Sequence, residues 1–182
     1  MRKFLLLFIF ALSTNARAAS EYQKAEAKIN VVKCTYEKQQ DQARIFFADQ
    51  TTPYSVYEKA RDIDIKGCQS VQINGMQYFT VQYVAVIDRG IQIRKSFTYE
   101  IALLKGDQLV TVRSEVIQAI PLLIDSDQDV IFDRSLDVKW GRSKTDKQPM
   151  LQMVLRGKEK TLPYLLKFNP ANVWFENNFP EL

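Results

Sequence analysis

The pair Asn74-Gly75 constrains this chain more than any other feature. It lies between Val71-Gln72-Ile73 and a long run from Met76 to Ile87, and Asn-Gly is the preferred pair for a two-residue hairpin turn whose central residues both take positive φ. A β-hairpin follows. Asp88-Arg89-Gly90 then separates that run from Ile91 to Leu104, and Lys105-Gly106-Asp107 marks a further reversal before Leu109 to Ile117. The pattern predicts a meander of four antiparallel strands.

Alternation supports it, because successive residues of a strand point to opposite faces. In the third strand Ile91, Ile93, Phe97, Tyr99, Ile101 and Leu103 share one face, interrupted by Lys95, while Gln92, Arg94, Ser96, Thr98 and Glu100 share the other. One face is expected to pack and the other to be wet. In the second strand Phe79, Val81, Tyr83, Ala85 and Ile87 line one side, and Tyr78, Val84 and Val86 make the other partly apolar. That strand is expected to be covered on both faces over part of its length.

Strands are also expected over Lys28 to Tyr36, Ala43 to Ala48, Leu136 to Arg142, Met150 to Arg156 and Thr161 to Phe168. Two short helices are predicted, one capped by Thr52 with Pro53 at its first position. The other is capped by Asn169 ahead of Pro170, with Phe168 and Val173 placed as a staple. The expected fold is mainly β: an antiparallel meander forming a sandwich, a partly open barrel or a strongly curved sheet, with one or two short helices.

Arg2 and Lys3, the unbroken apolar run from Phe4 to Leu12, and the small-x-small pattern Ala16-Arg17-Ala18 read as a cleavable signal peptide over residues 1–18. Its apolar core is far shorter than the ~20 residues of a membrane-spanning helix. No cysteine stands immediately after the cleavage site to carry a lipid; the first is Cys34. The mature chain, residues 19–182, is expected to be a single β-rich domain exported to the periplasm or beyond. The lack of any Asn-x-Ser/Thr sequon fits a bacterial host.

Loss of the leader changes the electrostatics. The chain has 25 Lys and Arg against 21 Asp and Glu, but Arg2, Lys3 and Arg17 leave with the leader, so the mature net charge is only about +1. Basicity therefore gives no support to a nucleic-acid partner. Cys34 and Cys68 are the two cysteines, and an even count in an exported chain reads as a disulfide.

The chain contains no histidine, which excludes Ser-His-Asp and Cys-His nucleophile systems, histidine acid–base work and most zinc hydrolases. No phosphate loop or dinucleotide fingerprint is present, so no cofactor is implied. Asp125, Asp127 and Asp129 resemble the opening of a calcium loop, but Val130 stands where the loop needs glycine and Leu136 where it needs a bidentate glutamate. A solvated acidic turn is the plainer reading.

Binding is thus expected rather than catalysis, with an envelope protein, a polysaccharide or an apolar ligand as partner. Trp140, Trp174 and Phe175 are the candidate contact residues, since aromatic side chains beside polar amides suit protein and sugar surfaces. A terminal segment that folds back and plugs an open end of the sheet is the structural alternative. Two other functions are weighed. An envelope hydrolase would act through paired carboxylates drawn from Glu100, Glu115 and Asp133, and a small outer-membrane barrel would use the long strands to span.

Overall fold

The computed structural model describes residues 21–39, 42–48, 50, 53–56, 60–88, 93–122 and 130–177. The predicted leader lies outside them, as do Thr52 and the Asp125 to Asp129 cluster. In chain order the strands are β1 (Tyr22–Lys24), β2 (Lys28–Val31), β3 (Cys34–Gln39), β4 (Gln42–Phe47), β5 (Tyr54–Ser55), β6 (Asp62–Ile73), β7 (Met76–Asp88), β8 (Ile93–Lys105), β9 (Gln108–Leu122), β10 (Ser135–Ser143), β11 (Pro149–Arg156), β12 (Thr161–Asn169) and β13 (Trp174–Asn177). They form three antiparallel sheets ordered β2-β6-β7-β8-β9, β1-β10-β11-β12-β13 and β3-β4-β5.

The meander is present. Asn74 and Gly75 both have positive φ, 51° and 75°, and close the pair Ile73–Met76 between β6 and β7. Gly106, at φ 64°, turns β8 into β9 between the paired Lys105 and Gln108.

This meander is the central layer of the molecule, and its two faces carry different cores. Tyr78 and Phe79 are neighbours in β7 yet belong to separate clusters. Tyr78 packs with Tyr99, Ile101, Trp140, Phe168 and Phe175 toward the β10–β13 sheet, while Phe79 packs with Val81, Tyr83, Ile45, Phe47 and Tyr54 toward the β3–β5 sheet. The expected two-sided burial of this strand is borne out, and each large side chain so buried contributes about 1.5–3 kcal/mol.

The polar face of β8 is not wet. Ser96, Thr98 and Glu100 are all buried, because the side of the sheet they share with Val81 and Tyr83 is the side that the small sheet covers. Alternation reports which residues share a face; it does not report whether a third layer sits on that face.

Register shifts in β9 opposite Phe97/Thr98 and Ile101/Ala102 mark two bulges. Ile117 and Val112 are the extra residues, and both are buried against the β10–β13 sheet. Each bulge resets the alternation, so β9 keeps apolar side chains inward along a length that simple period-two reading could not follow. The strand accordingly runs past Ile117 to Leu122.

Two expectations are corrected. The stretch Lys28 to Tyr36 is two strands, because the chain leaves the central sheet after Val31 and enters the small sheet at Cys34. Neither short helix is present among the described residues. Tyr54–Ser55 pairs with β4, and Asn169 accepts a hydrogen bond from the Ala171 N–H (2.9 Å) in an Asx turn that returns the chain as β13. That reversal places Phe175 opposite Phe168 in the core, a larger apolar gain than one turn of helix would provide.

Cys34 and Cys68 are joined by a disulfide with Cα atoms 6.3 Å apart, tying β3 of the small sheet to β6 of the central one. A bond of this kind persists in oxidising compartments. None of the sheets closes on itself among the described residues, so the fold is layered and is not a closed barrel. No described helix is long and apolar enough to cross a membrane.

Candidate functional site

Residues on the outward face of β12 and β13 follow from the register. Phe168 and Phe175 oppose each other inward, so Lys167 with Glu176, and Asn169 with Trp174, oppose each other outward. Trp174 is 37% exposed, a large side chain held at the surface beside two amides and a carboxylate.

A cleft of about 260 Å³ is lined by Asp146, Gln148, Lys167, Asn169, Pro170 and Glu176 among others; Trp174 does not line it but pairs across the strands with Asn169, which does. Its polar groups are fixed in place. Glu176 accepts from the side-chain amides of Asn169 and Asn172, both at 3.0 Å. Lys167 donates to Asp146 (2.9 Å) and to Glu21 (3.1 Å), and the Ser143 hydroxyl donates to Glu21 (2.9 Å). The Oε1 of Gln148 is buried with no protein partner, an acceptor that awaits a donor from water or ligand.

Hydrogen bonds from Lys167 and Ser143 hold the Glu21 carboxyl below the ordinary carboxylate range. Burial pushes Asp146 up, but the bonds from Lys167, Ser143 and the Gln148 backbone outweigh it and hold this carboxyl low as well. Lys167 in turn is raised, first by its bond to Asp146. The cluster is charged at neutral pH.

Backbone strain brackets the cleft. Among the described residues the non-glycine positions at positive φ are Asn74, Lys147 and Val173. Lys147 stands between Asp146 and Gln148, and Val173 immediately precedes Trp174. For a β-branched residue this conformation costs about 1–2 kcal/mol. At Val173 the strain sends Trp174 outward and Phe175 inward.

The other sequence candidates fall elsewhere. Trp140 and Phe175, expected as contact residues, are core: the Trp140 ring lies 5.1 Å from that of Tyr78 and 6.0 Å from that of Phe175, and Phe175 has no accessible surface. The reason is the fold-back of β13, which covers the central sheet with one aromatic and exposes the next. Asp125, Asp127 and Asp129 lie outside the described residues, and among the described ones no group of three acidic or sulfur side chains is placed to hold a metal.

Glu100 and Glu115 do not form a catalytic pair. Glu100 opposes Ser114 and Glu115 opposes Tyr99, which puts the two carboxyls on opposite faces of the sheet. Glu100 is fully buried, accepting from the hydroxyls of Tyr54, Tyr83 (2.7 Å) and Ser114 (3.2 Å). Glu115 pairs with Arg113 on the other side.

Asp133 lines a second cleft at the far end of the β10–β13 sheet.

Sequence reasoning singled out Trp174 but not Lys167, Asn169, Glu176, Asp146 or Gln148. In the sequence Asn169 reads as a helix cap. The usable signal was the Asn-Pro turn, which brings the polar residues before it and after it onto one face.

No family model matches the chain, and no curated protein and no solved structure does either.

Proposed function

We propose that this is an exported, non-catalytic binding protein of the bacterial cell envelope, and that its ligand is a polysaccharide held in the cleft lined by Asn169 and Glu176, with the neighbouring exposed Trp174 extending the contact surface. The observation that carries the reading is the half-exposed indole beside convergent, pre-bonded amides and carboxylates. A sugar ring presents C–H groups on its faces, which suit the negative face of an aromatic ring. Its hydroxyls both donate and accept, which suits Gln148, Asn169, Asp146 and Glu176 together. The signal-like leader and the Cys34–Cys68 bond support an oxidising, exported location.

The carboxyls bonded to Lys167 favour binding over hydrolysis. A glycosidase needs one acid with a raised pKa to protonate its leaving group, and Glu21 and Asp146 are both shifted the other way. The test is retention of soluble envelope polysaccharide on immobilised mature protein. Saturable retention without new reducing ends supports the proposal. Release of reducing ends, or no retention of any envelope polysaccharide, overturns it.

A further inference from the structure

The second cleft has a different chemistry. It holds about 440 Å³ and is bounded by Gln118 of β9, the segment at Asp133 and Arg134, and the turn from β11 to β12. One glutamine builds its wall: Gln118 Oε1 accepts from the backbone N–H groups of Asp133 (3.0 Å) and Arg134 (3.1 Å), and its Nε2 donates to Asp133 (2.7 Å). Lys158 lies 3.5 Å from the other oxygen of Asp133. Phe132 is anchored beside this wall on Phe97, with ring centroids 5.6 Å apart.

The turn is equally fixed. Gly157 N–H donates to Lys160 C=O (2.9 Å), and the Arg134 side chain runs across Gly157, its Cγ and Nε 3.5 Å from where a Cβ would stand. Leu155 and Leu162, paired across β11 and β12, also line the cleft. Asp133 neutralises Lys158, whereas Arg134 and Lys160 enter no ion pair among the described residues. Two cations outside any ion pair therefore stand over a preformed cleft with an apolar patch in it; Glu159 also lines the cleft, which leaves a net excess of one positive charge.

We propose that this end of the molecule is a second binding site, for a carboxylate or phosphate carried on a body with an apolar face, and that Arg134 and Lys160 hold the anion while Leu155 and Leu162 meet the body. Guanidinium and ammonium groups bind such anions through charge-assisted hydrogen bonds. Exposed charges give weak affinity, with Kd of about 1–10 mM, and added salt weakens it further.

The test is titration of the mature, isotope-labelled protein with two anions, glucuronate and octanoate, and with their neutral counterparts glucose and octanol, followed by backbone amide shifts. The expected result is saturable shifts at Gln118, Arg134, Gly157 and Lys160 with one or both anions. Which anion binds tells whether the source is an acidic sugar or an acyl chain. Binding should weaken at least about tenfold in Arg134→Gln/Lys160→Gln, while amide shifts at Asn169 and Trp174 stay independent of the variant. Equal response to the neutral compounds, no saturable response to either anion, or full binding by the double variant would overturn the proposal without touching the cleft at Asn169 and Glu176.

Discussion

The two faces of the central sheet are covered by different means. Toward β10–β13 the contact is an aromatic mosaic in which Tyr78, Trp140, Phe168 and Phe175 meet at centroid distances of 5.1–6.0 Å. Toward β3–β5 the covering sheet has three strands, one of them two residues long, and the interface includes buried hydroxyls, a buried carboxylate and the disulfide. A five-stranded sheet supplies enough apolar area to hold itself. A three-stranded one gains from directional bonds and a covalent tie, and its polar groups are tolerable only because they are bonded.

The largest expected effect lies on the aromatic side. Phe175→Ala removes a fully buried ring and should cost about 3–5 kcal/mol in urea unfolding. Loss through a single cooperative transition is expected, since the cluster joins two sheets. A cost under about 1 kcal/mol would mean that β13 is peripheral.

Next comes the tie on the other side. Replacing both Cys34 and Cys68 by serine frees a loop with a sequence separation of 34, worth about 3–4 kcal/mol on the chain-entropy description. Hydrogen exchange should rise first in β3 and β4, with β11 and β12 still protected. Uniform loss of protection would erase the contrast between the faces.

Glu100→Ala removes the buried acceptor shared by the hydroxyls of Tyr54, Tyr83 and Ser114 and should cost about 2–3 kcal/mol. Tyr54→Phe and Tyr83→Phe added to that change should cost less than they do in the native chain, because the bonds they would break to Glu100 are already gone. Additive losses in the combined variant would show that the network is ordinary packing.

The smallest effect is electrostatic. The Glu21 and Asp146 carboxyls have folded pKa values below their ordinary 4.5 and 3.8. A depressed carboxyl adds stability above its unfolded pKa and loses it as pH falls through the folded one. The Tm difference between the native chain and Lys167→Gln should therefore be small at pH 7 and shrink below about pH 4. A difference that grows on acidification would contradict the assignment.

The meander is legible in the sequence because both of its signals are local: Asn74-Gly75 prescribes a turn, and β7 and β8 alternate on either side of it. The burial of Ser96, Thr98 and Glu100 is not legible, because it depends on a sheet built from residues some fifty positions upstream. A polar stripe looks the same from sequence whether water or tyrosine hydroxyls satisfy it. The bulges at Val112 and Ile117 hide β9 for a related reason, since each breaks the period that would reveal it.

At the candidate site the aromatic was legible and its surroundings were not. Trp140, Trp174 and Phe175 look alike in composition, and only the pairing of β13 with β12 decides which of them meets solvent. Asn169 carries the same lesson. Ahead of a proline it suits a helix cap and an Asx turn equally, and the burial of Phe175 five residues beyond the proline selects the turn.

The most direct measurement is fluorescence titration of the mature protein with soluble envelope oligosaccharides, comparing the native chain with Trp174→Ala and Trp140→Phe. Saturable change in the native chain, kept in Trp140→Phe and abolished in Trp174→Ala with the fold intact by circular dichroism, is the predicted result. A calorimetric titration in which Trp174→Ala binds as tightly as the native chain, or in which the native chain releases no heat, would contradict it.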